Sequence, residues 1–260
     1  MSGVLVYSEV DEQAYALIAW AKKHEDALGP VAAAVLGPDA QKRSGDYQRF
    51  GAARLYVNEN EALGEMGEQV LTAALAQIAK QAGTDLILLA ATRRGRSLAS
   101  RLAHALDAGC VSEAIEMSID DGRLVTGRYA LGGNTIAREV IRTPHKVIAA
   151  TAGTVDAAEP GEVVGEVIAA ELDLPATQVS VVERRPKPAS SVNIAESERL
   201  VCVGRGLEKQ EDLAIAEKLG AAFAGEVACT RSLSAEYAWV PEERMIGISG
   251  EKVSPECILS

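Results

Sequence analysis

No run of about 18 consecutive apolar residues occurs in the 260-residue chain, and no charged-then-apolar leader opens it. A membrane span and an export signal are therefore not expected. Histidines are scarce: His24, His104 and His145 stand far apart and show no ligand spacing, which argues against a zinc site. The four cysteines, Cys110, Cys202, Cys229 and Cys257, form no C-x-x-C pair. Three of them lie in apolar, strand-like surroundings and read as small buried hydrophobes in a reducing cytoplasm. The G-x-x-x-x-G-K-[ST] phosphate loop, the G-x-S-x-G elbow and the H-E-x-x-H helix are all missing, which removes most kinases and hydrolases. Positive charge is in deficit as well, with 26 basic against 37 acidic side chains and a net charge of -11. That field repels a phosphate backbone and speaks against a nucleic-acid partner, while leaving room for a local basic pocket.

Apolar residues make up 48% of the chain and charged ones 24%, enough for a sizeable core. At about 150 residues per domain, the length suggests two domains. Short β-rich runs alternate with helical patterns: strands at 4–7, 31–36 and 54–57, a helix over 65–81 stopped by Gly83, and a strand over 85–90. Asp85-Leu-Ile-Leu-Leu-Ala90 is apolar at consecutive positions, as in a parallel sheet buried on both faces. A helix is expected from Ser97 to about Asp107, then a hairpin turning at Asp120-Asp-Gly122, with strands at 146–150 and 178–183. Glu183-Arg-Arg-Pro-Lys-Pro-Ala-Ser-Ser191 reads as an extended linker. The expected organisation is therefore an α/β domain with a mostly parallel sheet over 1–190, followed by a smaller α/β domain over 191–260. In the latter, strands at 199–203, 226–230 and 256–260 flank a helix over 210–224.

Three places carry possible chemistry. Gly204-Arg205-Gly206 lies between a strand and a helix, where backbone N–H groups and the helix dipole favour an anion. The third glycine of the dinucleotide fingerprint is missing and Lys209 stands there, so a tight turn with a solvated arginine accounts for the segment equally well. Thr230-Arg231 closes the next strand, on the edge where an open α/β sheet binds ligands. An arginine there can stabilise a negatively charged group or a reduced ring, or simply end the strand at the surface. Arg93-Arg-Gly-Arg-Ser97 could hold a phosphate beneath a helix capped by Ser97, or form a solvated or partner-facing basic loop.

Taken in order, the segments resemble the α subunit of the electron transfer flavoproteins. The resemblance rests on Val4-Leu-Val-Tyr-Ser-Glu9, on Asp85 to Ala90 with Gly95, Leu98 and Arg101-Leu-Ala103, and on Tyr129-Ala-Leu-Gly-Gly-Asn134. Its most specific part is Val203-Gly-Arg-Gly-Leu207, Ala228-Cys-Thr-Arg231 and Trp239-Val-Pro-Glu-Glu-Arg-Met-Ile-Gly-Ile-Ser-Gly250. The resemblance implies an N-terminal domain that packs on a β subunit, followed by a Rossmann-like FAD-binding domain. It further implies redox partners of the flavin dehydrogenase and quinone reductase types, and no membrane insertion. By position, Arg205 approaches the FAD phosphates and Thr230 and Arg231 border the flavin. Ile246, Gly247, Ile248 and Ser249 form the loop along the ring, with Ser249 keeping a hydroxyl for the flavin N5 where the commonest version reads Gly-Gln-Thr-Gly.

One departure stands out. In the family, the strand corresponding to Glu256-Cys-Ile-Leu-Ser260 runs into a Gly-x-Ser-Gly-x-x-Gln-His segment that opens a helix and holds the pyrophosphate. Here Ser260 is the last residue. The FAD-binding domain is thus expected to be incomplete, with Ile258 and Leu259 on an open edge. A truncated chain, a fold finished by a partner, and a flavin-free interaction subunit that keeps the docking domain are the three readings this leaves. A nucleotide hydrolase using Arg93 to Ser97 is a more distant alternative.

Overall fold

Apolar residues at every position of a short run demand cover on both sides, and the central strands of this protein receive it. The structure, a computed structural model, describes residues 1–65, 67–176, 182–183, 194, 197–247, 249–251, 253 and 255–260. The chain divides into two compact units, Met1–Val182 and Glu183–Ser260.

In the first unit, β1 (Val4–Tyr7), α1 (Asp11–Lys23), α2 (Glu25–Leu28), β2 (Val31–Leu36), α3 (Ala40–Gln48) and β3 (Arg54–Asn58) precede α4 (Ala62–Glu65) and α5 (Glu68–Ala82). There follow β4 (Leu86–Ala90), α6 (Arg93–Ala105), β5 (Gly109–Ala114), β6 (Glu116–Asp120), β7 (Arg123–Ala130), β8 (Thr135–Glu139), β9 (Lys146–Ala150) and β10 (Glu166–Ala169). Seven strands pair in the order β10-β3-β2-β1-β4-β9-β5, all parallel. One face packs Val4, Val6, Leu86 and Leu88 against Ala14, Leu17 and Ile18 of α1. The other packs Leu5, Ile87 and Leu89 against Leu71, Leu75 and Ile78 of α5 and Leu98 and Leu102 of α6. Burial on both faces is why these strands alternate neither in polarity nor in exposure.

Gly83 ends α5 at φ 66°, the left-handed cap that its position suggests. The next helix departs from expectation. α6 begins at Arg93, capped by Thr92, whose Oγ1 accepts the Gly95 amide at 2.9 Å; Ser97 lies inside the helix instead. The Arg-Arg-Gly-Arg run is thus the helix's first turn rather than a loop. The hairpin forms with Asp120 opposite Arg123, and its turn residues Asp121 and Gly122 take φ 49° and 71°. β8 extends it into a three-stranded antiparallel sheet. The strand expected over 178–183 lies outside the described residues, apart from Val182 and Glu183, which are not in a strand. The linker over 183–191 lies outside them too, but for Glu183.

In the second unit, β11 (Arg199–Val203) is followed by α7 (Leu213–Phe223), and β11, β12 (Glu226–Cys229) and β13 (Cys257–Leu259) form a three-stranded parallel sheet with β11 in the middle. Met245 bridges Cys229 in parallel, and the Ile246 amide donates to the Cys229 carbonyl at 2.9 Å. The lateral order is therefore 245–246, β12, β11, β13, with chain positions three, two, one and four. Val201 and Val227 pack on Ala216 of α7, while Leu200 and Ala228 face Ile194, Ile246 and Val253. β13 is an edge strand: Ile258 is 46% exposed and Leu259 39%. Its position also corrects the reading of the cysteines, because Cys257 is exposed while Cys229 is buried and Cys202 half-buried. All four thiols are free, and burial raises the Cys229 pKa to about 11.

Candidate functional site

Parallel strands end on a common edge, so the loops that leave them are neighbours. In the second unit the carboxyl ends of three extended segments bring together Gly204-Arg205-Gly206 after β11, Thr230-Arg231 after β12, and Gly247 and Ser249 after Ile246. The first two loops touch. The Thr230 amide donates to the Val203 carbonyl at 2.9 Å, and a Cβ placed on Gly204 would lie 3.3 Å from Thr230 Oγ1. Gly204 is thus small because the neighbouring loop fills its space. Gly206 faces open space, and Gly247 takes φ 115°, a backbone region that side chains disfavour.

The side chains on this edge are cationic or hydroxylic, and exposed. Arg205 Nη2 pairs with Glu236 Oε2 at 2.6 Å. Thr230 Oγ1 lies 3.2 Å from Ser232 Oγ. Arg231 is exposed and has no carboxylate partner among the described residues. Ser249 is exposed in a turn, Ile246 is half-buried, and Ile248 lies outside the described residues. Helix-dipole support, expected for the Gly204-Arg205-Gly206 loop, is weak. α7 starts only at Leu213, and Glu208, Glu211 and Asp212 precede it, so carboxylates already stand before its amino end. Anion attraction here falls to the guanidinium groups.

Sequence spacing gave no sign of Glu236. The segment Ser232–Glu236 is a single π-helical turn, closed by the Tyr237 amide donating to the Ser232 carbonyl at 3.0 Å. Such a turn shifts side chains off the 3.6-residue period that sequence reasoning assumes. A cavity of about 490 Å³, lined by residues that include Leu213, Glu226, Trp239 and Arg244, sits near the amino end of β12 and includes none of the residues on the carboxyl edge.

The first unit repeats the strand order, β3-β2-β1-β4, so it has a crevice of the same kind where β1 and β4 diverge. There the loop after β1 contributes Glu9, not an arginine. Glu9 Oε1 accepts the Thr92 hydroxyl at 2.6 Å, tying the two loops across the crevice and placing a carboxylate near the first turn of α6. The chain thus carries two switch-point crevices. In the first an exposed Glu9–Thr92 bond links the loops; in the second two arginines and two hydroxyl residues line the edge, with Glu236 paired to Arg205.

An arginine-lined, hydroxyl-bearing edge at the carboxyl ends of parallel strands is the kind of place where open α/β sheets take anionic ligands. Residues 6–175 match the electron transfer flavoprotein domain, and residues 193–260 match the electron transfer flavoprotein FAD-binding domain. The chain belongs to the electron transfer flavoprotein family, on its α-subunit side. Among curated proteins it is 35% identical over 188 residues to the protein FixB of Escherichia coli O1:K1 / APEC, covering 72% of this chain and 60% of that protein. The same values hold for FixB of Escherichia coli strain UTI89 / UPEC and of strain K12 / DH10B. The chain therefore spans 60% of the length of these curated relatives. Among the described residues no helix is long and apolar enough to cross a membrane, and no group of three or more His, Cys, Asp or Glu could hold a metal ion.

The residues present fit FAD chemically. Two guanidinium groups suit a pyrophosphate and an electron-rich ring, Thr230 and Ser249 offer hydroxyl donors, and the glycines leave the backbone accessible.

Proposed function

We propose that this chain is the α subunit of an electron transfer flavoprotein, carrying FAD in its second unit and pairing through its first unit with a β subunit. In that assembly it passes electrons from flavin dehydrogenases to an acceptor of the quinone reductase type. The observation that carries this reading is the common edge that collects Arg205, Thr230, Arg231 and Ser249 within a unit that matches the FAD-binding domain.

FAD, when bound, supplies one- and two-electron redox chemistry, so the protein needs no acid, base or nucleophile of its own. Arg205 would hold the pyrophosphate through charge-assisted hydrogen bonds. Thr230 and Arg231 would border the ring, where the Arg231 charge would favour the more electron-rich form. Ser249 would offer its hydroxyl to the ring N5, with Ile246 and Gly247 beside the ring. The acidic remainder of the chain sets the net charge of -11 and contributes to steering basic partner surfaces.

The test is co-expression with the matching β subunit and measurement of FAD released per heterodimer. Wild type should carry close to one FAD, and the Arg205→Ala, Arg231→Ala double variant well under half. A heterodimer that forms normally yet carries no flavin in the wild-type form would overturn the cofactor and leave a docking subunit.

A further inference from the structure

The Arg205–Glu236 pair lies on the edge where the ligand is proposed to enter. Both side chains are largely open to water, 66% and 50% exposed, so the pair is not a buried structural bridge. The segment that delivers Glu236 is not relaxed. It is a lone π-helical turn, Ser234 Oγ inside it is buried without a hydrogen-bond partner among the described residues, and Ala238 just beyond it takes φ 53°. Each feature has a cost, and the segment ends on Glu236, whose contact is Arg205.

We propose that Glu236 competes with the ligand anion: it occupies the Arg205 guanidinium until a phosphate-bearing ligand displaces it. The inference rests on the flavin reading above. A guanidinium engaged at 2.6 Å by a carboxylate must give up that bond before it can engage a phosphate oxygen in the same direction. The displaced carboxylate then remains near the incoming negative charge and repels it. Glu236 therefore weakens binding of anionic ligands and leaves neutral ones alone.

The experiment uses the heterodimer with its β subunit, stripped of flavin and titrated with FAD and with riboflavin, which has the ring but no phosphate. Glu236→Gln keeps the shape and removes the charge. Glu217→Gln, on an exposed position of α7, controls for the change in net charge. Glu236→Gln should bind FAD about five-fold more tightly at low salt, with the gain shrinking below about two-fold at 1 M salt, and should bind riboflavin as wild type does. Glu236→Asp should remain within about two-fold of wild type. Equal or weaker FAD binding by Glu236→Gln, or an equal gain for riboflavin, would overturn the proposal while leaving the flavin reading intact. Failure of the wild-type heterodimer to bind FAD would overturn both.

Discussion

A single added methyl group should have opposite effects at two helical glycines of the first unit. Gly95 lies in the first turn of α6, and a Cβ there would fall on the Ala90 carbonyl oxygen, with the Ala90 carbonyl carbon at 3.1 Å and Thr92 Oγ1 at 3.2 Å. All three atoms are fixed: Ala90 ends a central strand, and Thr92 is both the cap of α6 and the partner of Glu9. The helix cannot retreat, because Leu98, Ala99 and Leu102 are fully buried against the sheet. Overpacking of this kind costs about 1–3 kcal/mol, and loss of the Thr92 cap about 1 kcal/mol more. Gly95→Ala should therefore destabilise the unit by about 3 kcal/mol, a fall of roughly 6–12 °C in Tm for a unit of this size. Gly45, exposed in α3 with nothing within 4 Å of its Cβ position, should respond to the same change with a gain of about 0.5–1 kcal/mol. The assay is urea unfolding in a Trp239→Phe background, where Trp20 is the sole tryptophan and reports the first unit. A Gly95→Ala variant within about 1 kcal/mol of its parent would refute the reasoning.

Other expectations are open to direct measurement. Arg231→Ala should lower the potential of the bound flavin by about 30–90 mV, the equivalent of roughly 0.7–2 kcal/mol in a one-electron couple, read by spectroelectrochemistry. Burial raises the Tyr7 pKa to about 12, and burial with the hydrogen bond to Asp11 raises that of Tyr47 further. Unfolded tyrosines lose their protons first, so stability is intact below about pH 10 and falls as the pH climbs toward 12, by about 1.4 kcal/mol per unit for each residue. Tyr47→Phe should make that slope shallower. Ala224 and Leu131 sit at φ 52° and 51°, the latter 80% exposed, and replacing either by glycine should stabilise its unit by up to about 1 kcal/mol in thermal melts.

The central strands were legible because burial on both faces writes a continuous apolar run into the chain. β1, β2, β9 and β11 fall where that pattern puts them. Strands nearer solvent write no such pattern. Gly109–Ala114 and Glu166–Ala169 are the two edges of the large sheet, and Thr135–Glu139 is the outer strand of the hairpin sheet. Backbone pairing, not side-chain burial, makes them strands, and pairing is invisible in a local window. The start of α6 departs from the sequence expectation for a related reason. A basic run looks like a loop, yet Thr92 supplies the cap and the close approach of Gly95 lets the helix begin beside the strand end. In the second unit the strand-loop junctions located Gly204 to Gly206 and Thr230-Arg231. The partner of Arg205 lay hidden 31 residues further on, in a π-helical turn. Equally hidden was the contrast between the crevices, because the Glu9–Thr92 bond joins residues 83 positions apart.

The central claim is that the ligand crevice of the second unit, and not its counterpart in the first, holds FAD. Diffraction from crystals of the heterodimer grown with FAD tests it most directly. The account predicts flavin density at the carboxyl edge of β11 and β12, with the pyrophosphate on Arg205, the ring beside Arg231 and Ser249, and Glu236 swung away from Arg205. Flavin density between Glu9 and Thr92 instead, or an ordered second unit with no flavin beside Arg205 and Arg231, would contradict it.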